Sequence, residues 1–330
     1  MDAVVRLNHV QVVGTHNSYH RRLPPKLFEL LSSLNPTLAS SVDYEHAPLD
    51  EQLDLGVRQL ELDVFADPDG GRFASRAANE LVGLPKETGI AELAAPGFKV
   101  LHQADVDFES SCLSLRTCLT TIAEWSGAHP KHLPVMVFIE AKGATPVGAT
   151  ELDALDAEIR SVFGADHLLT PDDVRGDRAT LREAVTTDGW PTLAASRGRV
   201  LFTLINDDAA RTAYVDGHAA LRGRAMFTLS GPDAPESAVV SRPDPTTATA
   251  DIAALAQQGF VVRTRADVDT VEARSGDVTR RDAALASAAT WVSTDFPTAD
   301  PKFPTGYAVT PRMRCNPVVA PRACRDELLE

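Results

Sequence analysis

The sequence predicts a (β/α)8 barrel of the TIM type, somewhat irregular, forming a single α/β domain over residues 1–330. Three observations predict it. Eight short apolar runs recur along the chain, helix-like segments lie between many of them, and ionisable residues gather at the C-terminal ends of the runs. Strand alternating with helix implies a parallel sheet, and eight such strands close one barrel. The main rival is a doubly wound open sheet, but the Gly-rich nucleotide turn that would favour it is missing.

The runs follow in order. Residues 10–13 deliver His16 and Asn17 to a loop. Residues 57–65 carry Glu61 and Asp63 on one face, because alternate strand residues point the same way, with Cβ atoms roughly 6.5–7 Å apart. Residues 98–102 end at His102, and residues 135–140 end at Glu140, with Lys142 two positions beyond. Runs 200–205 and 225–229 follow, then 260–265 with Arg263 and Arg265, then 291–295 ending at Asp295. Helix-like segments span 113–125, 149–162 and 247–257, and Ser287-Ala288-Ala289 closes another before the last strand. The Pro- and Asp-rich stretch 231–245 reads as a surface loop. Residues 297–330, rich in proline, read as a C-terminal tail that wraps the outside.

Composition narrows the classes of function. A hydrophobic share of 44% with 24% charged residues describes a soluble, globular chain, and no run approaches the roughly 18 apolar residues that span a bilayer. The formal charge of −14 argues against tight adhesion to nucleic acid or an anionic membrane. Chemistry on a phosphate ester would therefore need a local positive element, which a bound cation supplies. The cysteines form two close pairs, Cys112 with Cys118 and Cys315 with Cys324. Those spacings favour two local disulfides and an oxidising compartment, with four reduced buried thiols as the alternative. No histidine lies near either pair at zinc-ligand spacing. Met1 to Arg6 hold no apolar signal core. A mature secreted form with an added initiator Met would reconcile that start with the disulfides.

A barrel places its active site at the C-terminal strand ends, where these ionisable residues fall. One carboxylate there would read as a solvated strand terminus. Asn17, Glu61, Asp63 and Glu140 together make an all-oxygen set, which favours Ca²⁺ or Mg²⁺ over Zn²⁺. His16 and His102 are the histidines at strand ends. His9, His20, His46, His129, His132, His167 and His218 read as structural, with His20 and His46 closest in sequence to the first two strand ends. Lys142, Arg263, Arg265 and Asp295 are candidate substrate ligands, although the arginines could instead pair with nearby acids such as Asp267. There is no Gly-x-Ser-x-Gly elbow and no Walker-type loop.

Gly14-Thr15-His16-Asn17-Ser18-Tyr19, Glu61-Leu62-Asp63, His102 after an apolar run, and Phe138-Ile139-Glu140 resemble the catalytic half of phosphoinositide-specific phospholipases C. The resemblance is closer to the short, secreted, calcium-dependent bacterial members, which Val261-Val262-Arg263-Thr264-Arg265-Ala266-Asp267 and Ser293-Thr294-Asp295-Phe296-Pro297 also resemble. It implies that His16 binds the phosphoryl oxygen and stabilises the pentacoordinate transition state. It also implies that Asn17, Glu61, Asp63 and Glu140 hold Ca²⁺ and that His102 protonates the leaving alkoxide. In the family the inositol 2-hydroxyl attacks its own phosphodiester, giving a cyclic 1,2-phosphate and diacylglycerol, with inositol 1-phosphate as a later hydrolysis product.

The expected partners are a phosphoinositide or related phosphodiester and, transiently, a membrane surface, with no nucleic acid and a monomeric chain. One departure is Gln103 after His102, where eukaryotic members usually have glycine. The nearest rival is another barrel phosphodiesterase, acting on glycerophosphodiesters or soluble inositol phosphodiesters. That group typically opens with His-Arg-Gly after strand one, where this chain has His16-Asn17-Ser18.

Overall fold

The computed structural model describes residues 1–143, 147–206 and 209–330. In chain order its strands are β1 (Val10–Thr15), β2 (Gln59–Phe65), β3 (Lys99–Val100), β4 (Val135–Lys142), β5 (Val200–Leu204), β6 (Met226–Thr228), β7 (Val239–Ser241), β8 (Val261–Arg265), β9 (Trp291–Thr294) and β10 (Met313–Cys315). Eight of them run parallel in the order β6-β5-β4-β2-β1-β9-β8-β7. A parallel bridge from Leu229 to Val239 joins β6 to β7 and brings the sheet round into a nearly closed barrel. The strands are buried on both faces, so they read as near-continuous apolar runs, as in the Val-Met-Val-Phe-Ile of β4.

Eight barrel strands are expected and eight are found, but one of them is different. Residues 98–102 supply no barrel strand. Only Lys99 and Val100 are extended, and they pair antiparallel with Phe65 and Val64 at the end of β2. β2 pairs directly with β4, and the eighth barrel strand is β7, between β6 and β8, inside the 231–245 stretch that reads as a loop. Pro232, Pro235, Pro243 and Pro245 give that stretch a loop's composition, and three residues are too few to show an alternating pattern.

Helices Leu115–Ala128, Ala149–Val162 and Pro245–Gln257 cover the outside. Ser114 caps the first by accepting from the Thr117 amide at 3.1 Å. Asp244 caps the third, accepting from the Thr246 amide at 3.0 Å, and proline at the first helical position suits that start. The long connections after β1 and β2 bury a second apolar cluster, including Leu23, Leu27, Leu31, Phe65, Phe73, Leu93 and Phe108, apart from the barrel core. This cluster lies on the catalytic side, beyond the C-terminal ends of β1 and β2. At the other end, β10 pairs antiparallel with β1, and Cys315 is bonded to Cys324. The second disulfide joins Cys112 to Cys118, so both local pairings expected from the spacing are formed. Among the described residues, no helix is long and apolar enough to cross a membrane.

Candidate active site

The sheet register assembles the site. Asp63 on β2 faces Glu140 on β4 as a direct cross-strand partner, and Glu61 lies one layer below on the same face. Gly14 lies opposite Gln59. A Cβ on Gly14 would sit 2.5 Å from the Gln59 Cβ, so only glycine lets β1 approach β2 there. Below the site the barrel is filled by a polar layer. Gln59 Oε1 accepts from the Ser293 hydroxyl at 2.5 Å, and Ser293 Oγ accepts from Arg263 Nε at 3.0 Å.

Past β1 the chain turns sharply at Asn17, whose φ is +46°. Asparagine tolerates that left-handed conformation better than most residues. Its side-chain Nδ2 donates to Tyr44 Oη at 3.2 Å, which leaves Oδ1 buried with no hydrogen-bond partner. Asp63 is fully buried, and its Oδ1 has no hydrogen-bond partner. Its close cation is Lys142, whose Nζ lies 2.5 Å from Oδ2 and 3.6 Å from a Glu140 oxygen. Glu61, Asp63 and Glu140 each offer an oxygen within 4.8 Å of the others. Burial first, and then the Asp63 charge, push the Glu140 carboxyl up to about 7. Three clustered carboxylates, together with the unpartnered buried oxygens Asn17 Oδ1 and Asp63 Oδ1, fit a hard divalent cation, and Asn17, Glu61, Asp63 and Glu140 could hold one.

Two histidine–carboxylate pairs flank this set. His16 Nδ1 donates to Asp295 Oδ1 at 2.7 Å, and its Nε2 faces Glu61 at 3.7 Å. Arg265 donates to the other Asp295 oxygen at 2.9 Å. Burial alone would raise the Asp295 carboxyl, but His16 and Arg265 hold it well below the usual carboxylate range. Across the site, His102 Nδ1 donates to Asp107 Oδ2 at 2.7 Å. Both catalytic candidates are part-exposed, at 21%, and their carboxylate partners are buried.

The structure gathers every expected site residue at one barrel end but changes the partners of several. Arg263 pairs with Glu61 Oε2 at 2.8 Å and Arg265 with Asp295, so both arginines are paired with acids, as the alternative to substrate binding has it, although the acids are not Asp267. Asp267 instead accepts from the Thr294 hydroxyl, the Asp295 amide and Tyr307. Both oxygens of Asp295 are engaged within the protein, and Arg263 is buried. Lys142 is the most exposed of the four candidate substrate ligands, at 19%, with its Nζ held against Asp63 and Glu140.

Sequence reasoning missed Asp107, His20 and Tyr44. A tight reversal, in which Gln103 and Asp107 exchange backbone hydrogen bonds, carries Asp107 back beside His102. Nothing in the local sequence marks that turn. His46 supports the first strand end by donating from Nε2 to the His16 carbonyl at 2.8 Å, and burial lowers its imidazole to about 4.

Residues 5–317 match the family described as phosphoinositide phospholipase C, Ca²⁺-dependent. The chain belongs to that family. Members are phosphodiester-cleaving enzymes that use Ca²⁺, and the acidic group of Glu61, Asp63 and Glu140 is suited to a metal. The fold is similar to that of a calcium-dependent phosphoinositol-specific phospholipase C from a Pseudomonas species in its apo form. The two are 16% identical, over 95% of this chain and 96% of that one, with a TM-score of 0.59. It is also similar to the Ca²⁺-dependent phosphatidylinositol-specific phospholipase C of Streptomyces antibioticus, at 19% identity over 88% and 95% of the chains, with a TM-score of 0.57. The phosphatidylinositol-specific phospholipase C of Listeria monocytogenes matches at 14% identity over 90% and 92%, with a TM-score of 0.53. At these identities the likeness concerns the fold. No curated protein matches the chain.

Proposed function

We propose that this enzyme cleaves phosphatidylinositol by attack of the inositol 2-hydroxyl on its own phosphodiester. The observation that carries the reading is the pair of histidine–carboxylate dyads, His16–Asp295 and His102–Asp107, on either side of an all-oxygen donor set. Asn17, Glu61, Asp63 and Glu140 would hold Ca²⁺, which would make the attacking hydroxyl easier to deprotonate and neutralise phosphoryl charge.

The chain's own residues supply the rest. Asp295 fixes His16 with Nδ1–H toward the carboxylate, which aims Nε2 into the site as a donor to the phosphoryl oxygen. Glu61 or Asp63 accepts the 2-hydroxyl proton as the new O–P bond forms. The P–O bond to diacylglycerol breaks on the opposite side, and His102 protonates the departing alkoxide from Nε2. Asp107 holds that ring by its other nitrogen. Products are the cyclic 1,2-phosphate and diacylglycerol, with inositol 1-phosphate on later hydrolysis. The two disulfides support action outside the cytoplasm, where a monomer would meet its lipid transiently at a membrane surface.

Phosphorus NMR of phosphatidylinositol incubated with the enzyme tests this. The five-membered cyclic phosphate resonance is expected to appear with Ca²⁺ and to be absent in excess chelator. Product formed at full rate in chelator, or glycerophosphodiester cleavage without cyclic phosphate, would overturn the reading.

A further inference from the structure

His20 is fully buried, and both of its ring nitrogens face acceptors. Nδ1 lies 3.1 Å from the Tyr44 carbonyl oxygen, and Nε2 lies 2.9 and 3.0 Å from the two Asp107 oxygens. A neutral imidazole carries one donor and one lone pair. One of these two contacts would then set lone pair against lone pair in the interior, at the full penalty of an unsatisfied buried group. A carbonyl cannot supply the missing proton. Asp107 does not supply it either. Its two oxygens share His20 Nε2 almost equally, at 2.9 and 3.0 Å, and Oδ2 also accepts from His102 Nδ1 at 2.7 Å, which is the geometry of a carboxylate receiving donors from both rings. The remaining arrangement is an imidazolium at His20 donating from both nitrogens. The groups facing it are Asp107 and His102 from one loop, and Tyr44 and His46 from another. Tyr44 stacks on the ring at 4.5 Å, and His102 stands edge-on at 6.1 Å. Asp107 is the anion among them.

We propose that His20 is a positioning residue for the general acid, a buried cation that orients Asp107 and balances its charge while His102 gives up its proton. The inference rests on the assignment of His102 made above. Before the transfer, the Asp107 carboxylate faces two charged rings. After it, His102 is neutral, and the buried carboxylate keeps a full counter-charge at His20 rather than being stranded. His20 touches no substrate, and it acts through Asp107 alone.

The test compares His20→Gln with His102→Ala on two substrates, phosphatidylinositol and inositol 1-(p-nitrophenyl phosphate), whose leaving group departs without protonation. General acids contribute about 10²–10⁴-fold. His20→Gln is expected to lose roughly a tenth to a half of that on a logarithmic scale with phosphatidylinositol, with KM and calorimetric Ca²⁺ affinity unchanged. With p-nitrophenol as leaving group, most of the loss should vanish. Equal losses on both substrates would reduce His20 to a fold-stabilising residue and overturn the inference. If His102→Ala itself shows no leaving-group dependence, the general-acid assignment falls first, so the two failures are distinguishable. Nitrogen NMR of the wild-type enzyme covers the case in which His20→Gln does not fold. Two protonated ring nitrogens at His20 at neutral pH are expected, and a single protonated nitrogen would overturn the inference.

Discussion

Asp295 sits under His16 with one oxygen taken by His16 Nδ1 and the other by Arg265, at 2.7 and 2.9 Å. Its effect on substrate must therefore pass through the imidazole. Asp295→Asn keeps the shape but turns an amide NH₂ toward one of the two donors, so either His16 or Arg265 loses its acceptor. His16 then loses the anion that favours a ring protonated on both nitrogens, and Nε2 is no longer held as a donor. We expect kcat to fall about 10²–10⁴-fold, the range for acid–base groups. KM and Ca²⁺ affinity by calorimetry should stay within about twofold, because the oxygen ligands lie on other strands. An unchanged kcat would mean that His16 is held by its backbone alone. At this scale much of the site is legible in the sequence, because Glu61 and Asp63 share a face by strand alternation and Glu140 ends a run of the same kind. Asp107, His20 and Tyr44 are not legible, since loop reversals rather than a repeating period bring them in.

Periodicity also decides which elements can be read. β4 has eight residues and its apolar run is unmistakable, and helix Ala149–Val162 begins and ends where its pattern does. β7 has three residues flanked by prolines and offers no such pattern, while the apolar run at 98–102 lies on the rim rather than in the barrel. Hydrophobicity alone does not distinguish a central strand from a segment packed over its end. The segment that follows β3 carries His102 and Asp107, and it is tied by Cys112–Cys118 to the first turn of helix Leu115–Ala128. Replacing both cysteines by serine should lower stability by about 2 kcal/mol, the chain-entropy value for so short a loop, in urea unfolding. In the folded variant, kcat should fall while Ca²⁺ affinity holds, because the metal-site carboxylates stand on β2 and β4. A matching loss of Ca²⁺ affinity would show that the loop also shapes the metal site.

Across the whole molecule, a chain of net charge −14 gathers Glu61, Asp63 and Glu140 at one barrel mouth, with Arg263 and Lys142 as close counter-ions. The barrel itself is legible because it needs only strand count and alternation. The electrostatic strain at its mouth is not, because it depends on which side chains finally face each other. Its consequence is a pH-dependent stability of the metal-free protein. In chelator, burial and then Asp63 raise the Glu140 carboxyl from 4.5 to about 7. Between those values the folded state binds more protons than the unfolded state, so ∂ΔG/∂pH is negative for this group. Its contribution is fully present below about pH 4.5 and is lost as pH rises through 7. Asp107, held at about 2, has the opposite sign: its stabilisation is present above the unfolded carboxylate value and is lost only as pH falls toward 2. Glu140→Gln removes the first effect and leaves the second. Thermal unfolding in chelator should therefore show wild type and variant diverging between pH 4.5 and 7, with the wild type losing ground as pH rises. Saturating Ca²⁺, which binds the ionised carboxylates, should raise the wild-type Tm more at pH 8 than at pH 5. Parallel stability profiles for the two proteins across that window would mean that Glu140 is ionised throughout, and that the carboxylates at the barrel mouth are already balanced by Lys142 and Arg263.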